Sequence, residues 1–132
     1  VDSLRLAKAI SDRSEALGIN TPILVEVNIG GEAAKSGIEP ENLEQLLYNL
    51  AELPAIKVQG LMTIPPILFT ESEKREIFSK MYQLFVDIKV KKIDNIDMQE
   101  LSMGMSGDFR EAILEGATIV RIGSALFGER QY

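Results

Sequence analysis

The strongest limit on this chain is an alternation: helical stripes and β-branched apolar runs follow one another four times along 132 residues. Strands that alternate with helices are joined by crossover connections and build a parallel sheet with helices packed on it. Two architectures satisfy that order, a small doubly wound sheet or part of a (β/α)₈ barrel. A complete barrel takes about 250 residues. Four units in 132 residues are close to half of that, so the second architecture requires a piece of something longer. The sequence also opens on Val1 inside what reads as a helix, which points the same way.

The individual elements follow from periodicity and punctuation. Leu4, Ala7, Ile10 and Leu17 predict a helix over 1–17, stopped by Gly18. The run Ile23 to Ile29 reads as a buried strand ended by Gly30-Gly31. Pro40 suits a first helical turn, and Leu43, Leu46, Leu47 and Leu50 form the stripe behind it, with Pro54 closing. Lys57 to Ile64 is a second strand, halted by Pro65-Pro66. Ile77, Phe78, Met81, Phe85 and Ile88 then mark a long helix over 71–91. A short third strand is expected around Leu101, followed by a turn at 104–107. Asp108 with Glu111 resembles a capping box that starts a helix through Glu115, and Thr118 to Ile122 makes the fourth strand.

Composition removes several functions. There is no Cys and no His, so neither a disulfide, a thiolate centre, a Cys/His zinc site nor a Ser-His-Asp triad can form within the chain. With 14 Lys+Arg against 20 Asp+Glu, the net charge is −6. Without a Lys/Arg cluster, that balance argues against a nucleic-acid or anionic-membrane partner. No apolar run is long enough to span a bilayer, and no basic-then-apolar leader is visible, so a cytoplasmic protein is expected.

Two loops carry chemistry. Leu101-Ser102-Met103-Gly104-Met105-Ser106-Gly107-Asp108 runs from a strand end through two glycines to a helix start. Unpaired backbone N–H groups there favour an anion, and the Ser106 hydroxyl adds a donor. The plainer reading is a glycine-rich turn that happens to hold a serine. Arg121-Ile122-Gly123-Ser124 leaves the last strand with a cation, a glycine and a hydroxyl. Its plainer reading is a strand-end arginine paired with a helix carboxylate. Taken together the loops gain weight, because (β/α)₈ barrels often hold a phosphate in the loops after their last two strands.

These residues resemble the C-terminal signature of the pyridoxal phosphate homeostasis family, whose fold is similar to the N-terminal barrel of alanine racemase. The resemblance rests on Leu101 to Ser106 with Asp108, on Val120 to Ser124, and on Phe127-Gly128. It extends upstream to Val25-Glu26-Val27-Asn28-Ile29, Glu32, Lys35-Ser36-Gly37 and Gly60-Leu61-Met62-Thr63-Ile64-Pro65. It implies a pyridoxal 5'-phosphate (PLP) site in which Ser106, Gly123 and Ser124 contact the phosphate and Arg121 faces the pyridine nitrogen. Met62 would pack on the ring, unless it is simply an apolar barrel-interior residue. An arginine keeps its charge at neutral pH, so it donates to the ring nitrogen without protonating it. That weakens the ring as an electron sink and suits a carrier better than broad amino-acid chemistry.

The lysine that this family uses to hold PLP covalently lies on its first barrel strand, and nothing in the present sequence corresponds to it. Lys35 belongs to the Lys-Ser-Gly loop instead, and Lys57, Lys89, Lys91 and Lys92 read as solvated lysines. The expected unit is therefore 1–132 as strands five to eight of a parent barrel, with no catalysis of its own. Half of an alanine-racemase-like enzyme is the alternative, although the sequence stops at Tyr132 without the C-terminal domain that supplies a tyrosine base. A phosphate-binding barrel enzyme without PLP, using Glu26 or Asn28, is a third reading, although Glu26 is better spent in a polar barrel centre or paired with Arg121. A half barrel should expose two strand edges and an apolar inner face. A second copy forming a homodimer, or a separately supplied or cleaved-off N-terminal half, would cover them.

Overall fold

A computed structural model describes residues 1–32 and 36–131. Its elements are α1 (Leu4–Ala16), β1 (Thr21–Glu26), α2 (Pro40–Ala51), β2 (Ile56–Met62), α3 (Glu71–Lys91), β3 (Ile96–Met105), α4 (Phe109–Leu114), β4 (Ile119–Arg121) and α5 (Ser124–Phe127). The four strands form one sheet in the order β1-β2-β3-β4, every pair parallel. Sequential order with parallel pairing is how a barrel wall is built, and this one is half of a TIM-type barrel. β1 and β4 are its two edges. Val1 sits on the β1 edge, its amino group donating to the Leu24 carbonyl and its own carbonyl accepting from the Glu26 N–H.

The helices cover one face of the sheet and make the core there. Leu43, Leu46, Leu47 and Leu50 of α2, with Phe78, Met81, Phe85 and Ile88 of α3, are buried in one cluster with Val25, Val58, Leu61, Leu101 and Met103, and Ile77 of α3 is buried as well. Both helix stripes agree with the periodicity. In α3 the termini are also secured: Thr70 and Glu73 form a reciprocal capping box, and Lys89 and Lys91 stand in the last turn.

Several expectations are corrected. The first helix starts only after Ser3, whose hydroxyl accepts from the Leu6 N–H, so Val1 lies outside it. Its buried face is Ala7, Ser11 and Ser14, while Leu4 and Leu17 are exposed. Small residues let α1 approach closely: Ser11 Oγ accepts from the Ala55 N–H at 3.2 Å, and Ser14 bonds Thr21 at 2.6 Å. The first strand runs only to Glu26, and the following Val27 forms an isolated parallel bridge with Ile38. The third strand is ten residues long and contains Gly104, which the sequence suggested would open the turn. Gly104 has φ +96°, and a Cβ there would stand 2.6 Å from Ala112 Cβ and 3.0 Å from Phe109 Cα. The glycine thus serves close packing of α4 on β3.

The expected capping box at Asp108 is absent as well. Its Oδ1 accepts from the Met105 N–H at 2.7 Å, and no side-chain cap forms. The inner face is not the apolar surface expected of a cut barrel. Glu26, Gln59, Glu100 and Arg121 are only partly buried there, beside Leu24, Met62 and Ile119. Thr118 donates to Glu100 at 2.6 Å and accepts from the Leu101 N–H, which satisfies polar groups near the β4 edge. No helix among the described residues is long and apolar enough to cross a membrane. Nor do the described residues hold a cluster of three potential metal ligands.

Candidate functional site

Parallel strands put all their C-terminal ends on one rim, and the loops leaving that rim are where such folds place chemistry. Here the rim gathers Met62 from the end of β2, the turn after β3, and the segment after β4. Met105 and Arg121 are register partners, so Ser106 and Gly123 leave neighbouring strands within two residues of the ladder.

Ser106 ties the two loops together. Its Oγ accepts from the Gly123 N–H at 3.0 Å and from the Ala125 N–H at 3.2 Å. Ser124 opens α5 between those two donors. Helix α5 has four residues, too few for a substantial macrodipole, so the attraction here comes from individual N–H groups. They converge on one oxygen, an arrangement that an anionic oxygen could share or take over. The turn carrying Ser106 is braced by Asp108, whose other oxygen lies 3.7 Å from Lys74 Nζ on α3.

Arg121 reaches across the inner face. One terminal nitrogen donates to Ser102 Oγ and the other to the Thr63 carbonyl at 3.1 Å. Thr63 is itself fixed, its hydroxyl donating to the Val27 carbonyl at 2.8 Å. The helix-carboxylate partner that sequence alone suggested is replaced by a hydroxyl and a carbonyl. Burial lowers the Arg121 pKa, against the negative charges of Glu26 and then Asp108, which raise it. An arginine starts so high that it remains charged throughout. Glu26 accepts a hydrogen bond from Ser36 at 2.7 Å and influences Arg121 by its field.

Met62 is half-buried and in register with Glu26 on one side and Ser102 on the other. The structure therefore brings Ser106, Gly123 and Ser124 together at one rim, with Arg121 and Met62 on the inner face beside it. Sequence reasoning gave no role to Ser102 or Thr63, and it read Asp108 as a helix cap instead of the brace of the turn. A signal existed for the first: a serine amid the apolar residues of β3, where it falls in the row that contains Met62.

None of the described lysines lies at the C-terminal end of a strand. Lys57 is near the start of β2 and pairs with Asp97 at 3.7 Å. Lys91 pairs with Glu44 at 3.1 Å, Lys89 lies over the Phe85 ring, and Lys92 caps α3. Lys35 and Tyr132 lie outside the described residues.

Against this geometry, the sequence profile of the alanine racemase N-terminal domain matches residues 1–131. A pyridoxal phosphate homeostasis protein from Aquifex aeolicus is 48% identical over 132 residues, all of this chain and 57% of the relative. The PipY protein of Synechococcus elongatus superposes with TM-score 0.89 at 32% identity without PLP, over 97% of this chain and 59% of PipY. Its PLP-bound structure gives TM-score 0.86 at 31% identity, over 97% of this chain and 58% of PipY. The chain thus spans between half and two thirds of the length of these relatives.

Proposed function

The chain belongs to the alanine racemase N-terminal domain family, and on that premise we propose that it is the phosphate-holding half of a PLP-binding homeostasis protein. The observation that carries this reading is the convergence of the Gly123 and Ala125 N–H groups on Ser106, with Arg121 on the adjoining inner face. A dianionic phosphate monoester fits the first group, and a neutral ring nitrogen fits a fixed, charged donor.

In this reading Ser106, Gly123 and Ser124 hold the phosphate. Arg121 donates to the pyridine nitrogen and Met62 lies against the ring. Bound PLP would supply an aldehyde and an electron-withdrawing ring. Arg121 keeps that ring nitrogen unprotonated, so the residues present favour holding and releasing the cofactor over turning over amino acids. Lys74, the described lysine beside the rim turn, is paired with Asp108, and Lys35 lies outside the described residues. In this reading neither captures the aldehyde, binding is reversible and no catalysis is assigned to this chain.

We assign residues 1–132 to strands five to eight of an eight-stranded parent, acting in the cytoplasm. The edges of β1 and β4, the former after Val1 gives up its bonds to Leu24 and Glu26, then take the other half of the barrel. On its own, the chain covers them with a second copy, and light scattering at tens of micromolar should read a dimer.

The site itself is tested by equilibrium dialysis against PLP with inorganic phosphate as competitor. Ser106→Ala and Arg121→Ala should each weaken phosphate-competable binding about tenfold, the usual worth of a hydrogen bond involving a charged group. Unchanged binding in both would remove the assignment.

A further inference from the structure

We infer that Ser102 is a positioning residue for Arg121: its hydroxyl, with the Thr63 carbonyl, fixes the guanidinium plane before any ligand arrives. This rests on the reading of Arg121 as the ring-nitrogen contact and adds the device that aims it.

Arginine has four flexible torsions and a planar fork of five N–H donors. Left free at a rim, it would have to be ordered at the moment of binding, which costs affinity. Here the fork is anchored at two points on two structural supports. Nη1 donates to Ser102 Oγ on β3, and Nη2 to the carbonyl of Thr63 just beyond β2. Two anchors define a plane where one would leave a hinge. Both supports are buried: Ser102 is 3% exposed and Thr63 is 1% exposed. Thr63 is further held by its own bond to Val27. Both acceptors are neutral oxygens, so they orient the guanidinium without cancelling its charge. Glu26 and Asp108, the carboxylates whose fields reach it, favour the charged form. Among the described residues no further acceptor takes the remaining N–H groups, which are left for a ligand.

The test uses two probes that cannot react with a lysine. Pyridoxine 5'-phosphate carries both phosphate and ring nitrogen, whereas benzyl phosphate has the phosphate and an aromatic ring without the nitrogen. The chain should prefer pyridoxine 5'-phosphate. Ser102→Ala should lose about tenfold of its affinity for that probe and little for benzyl phosphate, while Ser102→Thr, which keeps the hydroxyl, restores the preference. Arg121→Lys should lose the same preference, and the double variant Ser102→Ala/Arg121→Lys should lose no more than either alone. A preference that survives Ser102→Ala overturns the inference.

A ligand-free readout separates this inference from the site assignment. In nitrogen-15 NMR spectra, the Arg121 Nη resonances should be resolved in the parent and averaged by rotation in Ser102→Ala. If they are averaged already in the parent, or stay resolved in the variant, the inference fails. If they behave as expected while neither probe binds, Ser102 does position Arg121 and the PLP reading is what falls.

Discussion

Leu61 and Met62 are adjacent on β2 and meet opposite surroundings. Leu61 is fully buried beneath the helices, among residues of the apolar core. Met62 faces the row of Glu26 and Ser102, where hydroxyls, carboxylates and Arg121 occupy the surface. The helix-facing side removes apolar area from water and thereby holds the sheet together. The inner side contributes less to stability and instead presents charge, hydroxyls and backbone N–H groups to a ligand. Strand alternation separates the two tasks on one set of strands. Stability and binding should therefore respond to different substitutions.

The largest expected effect falls where the backbone itself leaves no room for a side chain. Gly60 sits at a register shift between β2 and β3, and a Cβ there would lie 1.7 Å from the Glu100 carbonyl oxygen. No side-chain rotation relieves contact with backbone, so β2 and β3 must part. Gly60→Ala should cost on the order of 4 kcal/mol or more, read by urea denaturation as loss of the cooperative transition.

The sharpest form of the comparison is the neighbouring pair. Leu61→Ala should destabilise by about 2–5 kcal/mol, the range for truncating a buried leucine, with little effect on the binding of chain that remains folded. Met62→Ala should cost about 1 kcal/mol or less in stability, because its site opens to solvent and can relax. Its effect should appear in PLP affinity instead. Equal stability losses for the two variants would break the division between the faces.

A smaller effect tests the N-terminal cap of α3. Thr70→Ala removes the N-cap of α3 and should cost about 1 kcal/mol. Its partner Glu73 is held below the ordinary glutamate pKa by hydrogen bonds from the Thr70 backbone and side chain. The sign follows: a carboxylate with a depressed folded pKa stabilises fully above its unfolded pKa. That contribution is lost as the pH falls through the folded value. Glu73→Gln should therefore reduce the acid sensitivity of stability, measured by thermal melts across the acidic range, while leaving PLP affinity unchanged.

The fold was largely legible in the sequence because α2 and α3 carry unbroken apolar stripes, and strands alternating with helices admit few topologies. Misreadings occurred where tertiary contacts overrode local pattern. Gly104 looked like a turn residue but is spent on letting α4 approach β3. Asp108 has the spacing of a cap, yet its carboxylate is taken by Met105 and Lys74. Ser11 and Ser14 join Ala7 on the buried face of α1, where a stripe of Leu4, Ala7, Ile10 and Leu17 was expected, because their hydroxyls satisfy groups of the segments beneath. The candidate site was visible through its glycines, Ser106 and Arg121. The anchors of Arg121 were not, since one is a backbone carbonyl, and carbonyls leave no trace in residue type.

The most direct test of the account asks how PLP is held. The chain is equilibrated with PLP, reduced with borohydride, digested and mapped by mass spectrometry, beside an unreduced sample that is desalted and scanned. The account predicts binding that phosphate displaces, no cofactor retained after desalting, and no single lysine modified in proportion to the bound ligand. A stoichiometric, reducible adduct on one defined lysine, Lys35 included, would contradict it.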